Sequence, residues 1–186
     1  MTIKTNDLLT DLIERTRKNL NEAEKLNQKT FEELNRRNHS ESWSALECVE
    51  HLNLYGDFYL PEIERCLAQS NLMPTEYFHS GWLGEYFAKS MLPKEKLNKM
   101  KTFKDKNPMG SKLDKTTIDR FIRQQYKTLE LLEKARETNL TKTKTGVSIS
   151  SWIKLRLGDT FRVVIYHNQR HLVQANRTLN GKAGEP

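Results

Sequence analysis

The stretch YHNQRHLVQANR, residues 166–177, places two histidines four positions apart. On an α-helix, His167 and His171 lie on the same face with their Cβ atoms ~6 Å apart. Two imidazoles in this arrangement can bind one metal ion, because metal–nitrogen bonds are ~2.1 Å long. The same spacing also fits two polar side chains that cap the end of a helical bundle or bond to solvent. The stretch alone leaves both interpretations open.

The residues around this stretch predict a long helix from about Thr160 to Leu179. Asp159 is expected to cap its start, and Asn180-Gly181 is a typical helix stop. Apolar residues flank the histidine stripe, namely Ile165, Leu172 and Ala175. The histidines therefore lie on or beside the face that turns toward the protein interior, where polar groups need partners.

Two further apolar stripes predict a first helix over 6–37 and a third over 114–137. Thr5 or Asn6 is expected to cap the first of these helices, and Asp114 or Thr116 to open the third.

A second helix is predicted from about Ala45 to Gln69. Ser44 and Glu47 have the S-x-x-E spacing of a capping box at its start, and Pro61 predicts a kink. His51 falls among apolar residues early in this helix. By itself, such a histidine is more typical of a hydrogen-bonded core residue than of a metal ligand.

The connections between these helices contain no convincing strand. Residues 75–90 predict a short aromatic helix, 93–110 a long loop, and 152–155 a short apolar turn. The prediction is an all-α fold: a single domain over 1–186 that forms a four-helix bundle with a long crossover between its second and third main helices.

Composition sets the broad class of protein. Hydrophobic residues make up 36% and charged residues 30% of the 186 positions, which is typical of a globular protein. No apolar run approaches the ~20 residues that span a bilayer, and the N-terminus lacks the apolar segment of a signal peptide. We therefore expect no membrane association and a cytoplasmic location. Cys48 and Cys66 lie too far apart on the second helix for a disulfide and are expected to be reduced.

The net charge of +7 raises the alternative of nucleic-acid binding. The lysines concentrate in 94–106 and 141–144, and neither segment interleaves aromatic residues regularly. No helix-turn-helix, zinc-finger or RNA-binding signature accompanies them. The pattern favours a solvated lysine-rich surface over a nucleic-acid partner.

Two segments and the helix order resemble the DinB-like superfamily, the DinB/YfiT group of four-helix-bundle metalloproteins. The segments are WSALECVEHL (43–52) and LGDTFRVVIYHNQRHLVQANR (157–177). In that family, a "WS..E...HL" segment provides one histidine on the second helix, and an "H..RH..Q..R" segment provides two on the last. The matching positions here are Trp43, Ser44, Glu47, His51 and Leu52, then His167, Arg170, His171, Gln174 and Arg177.

The resemblance implies a divalent metal, zinc or nickel, held by His51, His167 and His171 with coordination positions left open, as in catalytic metal sites. Characterised members include thiol S-transferases that use bacillithiol or mycothiol, a thiol-dependent isomerase, and enzymes thought to be hydrolases. The resemblance therefore implies an enzyme that activates a thiolate or water to act on a small-molecule substrate, with a low-molecular-weight thiol as a possible co-substrate. The alternative is a non-catalytic, stress-related metal-binding bundle or interaction module.

Three neighbours of these histidines are candidate catalytic residues. Glu47 lies one turn before His51 and could orient its imidazole, or serve only the capping box. Tyr55 lies one turn after His51 and could donate a proton, or fill the core. Arg170 could bind an anionic substrate, or pair with a carboxylate such as Glu47. Cys48 could act as a nucleophile, but its position favours a buried structural thiol.

Bundles of this kind often form dimers through helix faces. In a homodimer of this chain, Trp82, Tyr86 and Phe87 are the expected interface aromatics.

Overall fold

A computed structural model describes residues 1–93 and 102–181, and within them the chain forms six α-helices and two small sheets. The four main helices are α1 (Thr5–Asn27), α3 (Ala45–Gln69), α5 (Thr116–Lys134) and α6 (Leu157–Leu179). Two shorter helices are α2 (Phe31–Asn35) and α4 (Trp82–Met91). The strands are β1 (Thr2–Lys4), β2 (Tyr77–His79), β3 (Lys144–Val147) and β4 (Ser150–Arg156). Two 3₁₀ turns span Lys104–Lys106 and Ala135–Glu137.

The four main helices form a bundle in which α1 and α3 each pack against both α5 and α6. This arrangement places α1 diagonally opposite α3. The crossover from α3 to α5 includes β2, α4 and the 3₁₀ turn Lys104–Lys106, and α4 packs on α6. The predicted all-α bundle with a long second-to-third crossover is confirmed. No helix in the described ranges combines the length and apolar character needed to cross a membrane.

Two apolar clusters fill opposite ends of the bundle. One unites the N-terminal half of α1 with the C-terminal halves of α3 and α5 and the start of α6; Leu12, Ile63 and Phe161 are buried there. The other lies at the opposite end and includes Leu46 and Phe121. Between the clusters is a layer of buried polar side chains from all four helices: Thr16, Asn19, Asn53, Gln125, Thr128, His167 and Asn168. The histidine pair of α6 therefore lies at the middle of the bundle rather than at its end.

The predicted first helix over 6–37 is wrong in its second half. The chain leaves the helix after Asn27 and starts α2 at Phe31. Thr30 and Glu33 form a capping box there, which satisfies the backbone N–H groups of a new helix start. The predicted caps Thr5 and Asn6 are also wrong, because α1 begins directly after β1 with Lys4 at the N-cap and no side-chain cap.

The second and third helices agree with prediction. The α3 helix spans Ala45–Gln69, runs through Pro61, and has the expected capping box between Ser44 and Glu47. The α5 helix begins at Thr116, and its last turn tightens into 3₁₀ geometry at Ala135–Glu137. At the end of α6, Gly181 has φ +66°, a left-handed conformation that favours glycine and stops the helix.

Asp159 does not cap α6, which contradicts the prediction. The helix begins at Leu157, and the fully buried Asp159 lies in its first turn. Its carboxylate accepts hydrogen bonds from Ser80 Oγ (2.5 Å), the Gly81 backbone N–H (2.8 Å) and Arg162 Nη1 (3.0 Å). Because Gly81 is the N-cap of α4, Asp159 instead holds the start of α4 against α6.

The prediction that the connections lack strands is also wrong. Strand β1 pairs antiparallel with β2, which occupies the first part of the predicted helix at 75–90. Strand β3 pairs with β4, which replaces the apolar turn at 152–155. Each strand is short and pairs with a single partner strand, so its sequence signal is weak. Of the predicted loop at 93–110, residues 94–101 lie outside the described part of the chain.

Candidate metal centre

Helices α3 and α6 bring His51, His167 and His171 together in the buried middle of the bundle. The candidate ligand atoms of the three imidazoles all lie within 4.8 Å of one another. His51 Nε2 and His167 Nε2 are 3.2 Å apart, close to the ~3.4 Å between two ligands of a tetrahedral ion with bonds of ~2.1 Å. The geometry therefore fits one divalent metal between the three rings.

Hydrogen bonds orient two of the three imidazoles. His51 Nδ1 lies 2.7 Å from the Lys106 carbonyl oxygen, and His171 Nδ1 lies 2.8 Å from Gln174 Oε1. Both oxygens accept, so each Nδ1 carries the proton and each Nε2 presents a lone pair. Partners of this kind set the tautomer and the ring direction of metal-binding histidines. His51 and His171 thus each present Nε2 in the form that a metal ion requires.

Burial keeps these imidazoles neutral. It lowers the pKa of His51 to about 4, with the positive charge of Lys106 acting in the same direction and the bond to its carbonyl opposing. Burial also lowers the pKa of His167 and of His171 well below the usual range, and the charge of Arg170 adds to this effect at both. Neutral imidazole is the form that binds metals.

Aromatic rings form two walls of the centre. The Trp43 ring lies 4.8 Å from the His51 ring and 5.8 Å from the His171 ring, centroid to centroid. On the other side, the Tyr55 ring lies 5.0 Å from His51 and 4.8 Å from His167. These rings limit solvent access to the imidazoles from two directions.

Tyr55 keeps its proton at neutral pH. Burial raises the pKa of Tyr55 to about 12, and the nearby Tyr59 and Asp105 act in the same direction. The ring of Tyr55 stacks on that of Tyr59 at 6.4 Å, and the Lys106 ammonium lies 6.0 Å from the Tyr55 centroid. Tyr55 is therefore a protonated phenol whose ring lies beside the centre.

The end of the crossover is attached to the first turns of α3 at three points. The Lys106 carbonyl accepts from His51, Asn107 Oδ1 accepts from Trp43 Nε1 at 3.2 Å, and Glu47 Oε1 accepts from the Gly110 N–H at 2.7 Å. The segment 106–110 therefore covers the side of α3 that carries His51.

The buried Glu47 carboxylate takes part in capping and cross-linking. It accepts from the Ser44 backbone N–H at 2.8 Å and from Arg37 through Nε at 3.0 Å and through Nη2. Together with the bond from Gly110, these contacts tie the α2–α3 connection and the crossover to the start of α3. Glu47 was expected either to orient His51 or to serve the capping box. The structure contains the bonds of the capping box.

Arg170 is buried on α6, next to the histidine pair in sequence. Burial lowers the pKa of its guanidinium, and the charge of Arg177 adds to this effect. Its charge acts on both His167 and His171. Arg170 therefore contributes positive potential to the centre.

The remaining candidates lie elsewhere or are unreactive. Cys48 and Cys66 are free thiols, as expected. Burial strongly raises the pKa of Cys48, which leaves it protonated. His39 and His79 are exposed.

The three aromatic residues considered for a homodimer interface differ in exposure. Trp82 is 84% and Tyr86 66% exposed, and Phe87 packs partly against the core. The homodimer that they suggest stays a prediction.

Sequence reasoning missed Lys106, whose carbonyl orients His51 and whose charge acts on it. It lies 55 residues from His51 in the chain, in a lysine-rich segment that resembles solvated surface. No local pattern marks this position, because its role depends on where the crossover crosses α3.

A comparison with protein families matches a sequence model described as the DinB superfamily over residues 12–175. This range includes all three histidines and both walls of the centre. Comparisons with curated proteins and with solved structures give no match.

Proposed function

The chain belongs to the DinB superfamily, and on this premise we propose that it is a metal-dependent enzyme. His51, His167 and His171 would hold one divalent ion, zinc or nickel. The reaction would be thiol S-transfer to, or hydrolysis of, a small substrate. The observation that supports this proposal is the convergence of three neutral imidazoles, of which two have their Nε2 lone pairs set by Nδ1–H bonds.

Three protein ligands leave coordination positions open, and an ion bound in this way lowers the pKa of a coordinated thiol or water. The residues of this chain would hold the ion, orient its imidazole ligands and shield the centre from water. The Lys106 carbonyl and Gln174 direct the imidazoles, and the rings of Trp43 and Tyr55 restrict water.

We assign further roles to the candidate catalytic residues. Tyr55, which stays protonated, donates a hydrogen bond or a proton to the leaving group. Arg170 stabilises negative charge on the substrate. Glu47 acts as a positioning residue, because its bonds to Ser44, Arg37 and Gly110 hold the start of α3 and the crossover beside it.

Metal content per chain, measured by inductively coupled plasma mass spectrometry on untagged protein purified without chelators, tests the metal part of the proposal. We expect about one equivalent of zinc or nickel in the wild type and a large loss in His51→Ala and His167→Ala. His39→Ala, which removes an exposed histidine, is the matched control and should retain the metal. Substoichiometric metal that added zinc, nickel or manganese does not restore would refute the proposal.

Activity screens on metal-loaded protein test the enzyme part. Thiol S-transfer is followed as loss of a small electrophile in the presence of a low-molecular-weight thiol, and hydrolysis as turnover of activated esters and amides. His167→Ala should abolish either activity. Metal-loaded protein that is inactive in both screens would instead be the non-catalytic metal-binding module.

A further inference from the structure

Lys106 connects the crossover to the candidate metal centre through both its backbone and its side chain. Its carbonyl accepts the Nδ1–H bond of His51 at 2.7 Å, which fixes the backbone beside the centre. Its ammonium lies 6.0 Å from the centroid of the Tyr55 ring, and that ring contacts the rings of both His51 and His167. The side chain is only 19% exposed, so the charge lies at the edge of the centre rather than in bulk solvent.

We propose that Lys106 determines substrate specificity by binding a carboxylate of the substrate with its ammonium group. The substrate class is then a low-molecular-weight thiol that also carries a carboxylate, with its sulfur at the three histidines and its carboxylate at Lys106. This inference rests on the proposed function, because the metal centre anchors the sulfur.

The charges around the imidazoles support an anionic ligand. The two charged side chains that act on the three imidazoles in the described structure are both cations, Lys106 on His51 and Arg170 on His167 and His171. The ligands themselves are neutral, so a bound divalent ion would add its full charge. The buried carboxylate of Glu47 is already bonded to Arg37. A ligand with both a thiolate and a carboxylate would offset part of this positive charge in a setting of low dielectric.

Among the residues that the structure describes, Lys106 forms an ion pair with Asp105, which a substrate carboxylate can replace. Its Nζ lies 3.4 Å from the Asp105 carboxylate, and the Asp105 side chain is 71% exposed. An ion pair with one partner so exposed contributes little free energy. A substrate carboxylate anchored by its sulfur would be held near Lys106 at high effective concentration and would displace Asp105.

Ligand binding to cobalt-substituted protein tests the proposal without requiring turnover. The visible absorption of the bound cobalt reports entry of a thiol, and the probes are 3-mercaptopropionate and its neutral analogue 3-mercaptopropan-1-ol. We expect the wild type to bind the acid about tenfold more tightly, equivalent to ~1.4 kcal/mol. Lys106→Met should remove this preference by weakening only the acid, whereas Lys106→Arg should keep it. Lys104→Met, at an exposed lysine two residues away, is the matched control and should behave like the wild type.

The outcomes separate the two proposals. Equal binding of the two thiols by the wild type, or a preference that survives in Lys106→Met, would overturn the role of Lys106 and leave the metal centre standing. A wild type that loads no cobalt would refute the proposed function and this inference together. Cobalt loading with no spectral response to either thiol would refute thiol activation and therefore also the inference. Equal cobalt stoichiometry in all variants is the control that the side-chain changes leave metal loading intact.

Discussion

Replacement of Gln174 by leucine removes the hydrogen-bond acceptor that orients His171 while keeping a buried side chain of similar size. Gln174 Oε1 accepts from His171 Nδ1 at 2.8 Å, and only 4% of the residue is exposed. Its backbone carbonyl bonds Thr178 Oγ1 separately, and this bond does not depend on the side chain. The substitution therefore acts mainly on the orientation and tautomer of one metal-binding imidazole.

The expected effect is a 10- to 100-fold weaker zinc affinity, the typical cost of losing a partner of a metal-binding histidine, which is equivalent to ~1.4–2.7 kcal/mol. An independent estimate agrees, because a buried N–H left without its acceptor costs about 1–3 kcal/mol. Gln174→Glu keeps an acceptor and should retain or increase the affinity.

Competition with a chromophoric zinc chelator at neutral pH measures the affinity, with circular dichroism to verify folding. Thermal unfolding is a second readout. At a free zinc concentration 100 times the wild-type Kd, bound metal stabilises the wild type by about 2.7 kcal/mol and a tenfold weaker variant by about 1.4 kcal/mol.

Gln169→Leu is the matched control, since Gln169 is on the same helix but accepts from Arg15 instead, at 3.0 Å. It should leave zinc affinity unchanged. If Gln174→Leu bound zinc as tightly as the wild type, or if Gln169→Leu lost as much affinity, the reasoning about His171 would be wrong.

Three further predictions concern the scaffold. In Gly84→Ala, the new Cβ would lie 2.4 Å from Cγ of the buried Asp159, so we expect a loss of about 1–3 kcal/mol of unfolding free energy, measured by urea denaturation. Burial raises the pKa of Glu85, but bonds from Arg162 and Lys89 outweigh it and lower the pKa from 4.5 to about 2. Glu85→Gln should therefore cost about 1–2 kcal/mol after solvent screening. This difference from the wild type is full above pH 4.5 and disappears as the pH falls toward about 2. Cys48 should resist alkylation by iodoacetamide in the native protein and react after unfolding, because it is fully buried and burial raises the pKa of its thiol.

Each of these predictions has an outcome that contradicts it. Gly84→Ala with wild-type stability would mean that Asp159 can move away from α4. A stability difference between wild type and Glu85→Gln that does not change with pH would exclude the ionised carboxylate as its source. Rapid alkylation of native Cys48 would show that the bundle opens at the end that contains the start of α3.

Local patterns were sufficient where a structure depends on residues near in sequence. The α3 helix begins where its Ser44–Glu47 capping box predicts, since those bonds form between residues three positions apart. The break after α1 had a signal of the same kind, the Thr30–Glu33 capping box, which the long apolar stripe obscured. The spacing of His167 and His171 likewise placed both on one helix face.

Contacts between segments that are distant in sequence determined the features that local patterns predicted wrongly. Asp159 has the position of a helix cap in sequence, yet it binds Ser80 and Gly81 because α4 packs on α6. Strand β1 exists only because residues 77–79 return to pair with it.

Helix periodicity is a property of short stretches, so the sequence was enough to predict an all-α bundle. The three histidines of the candidate metal centre followed from the resemblance of two short segments to the DinB superfamily, since the spacing alone left their role open. Only the tertiary structure determined which groups orient and surround those histidines. Lys106 reaches His51 across 55 residues of chain, and such a contact is set by the path of the crossover over α3. A backbone carbonyl, moreover, is present at every residue, so the side-chain sequence cannot indicate which one becomes the partner of a metal-binding imidazole.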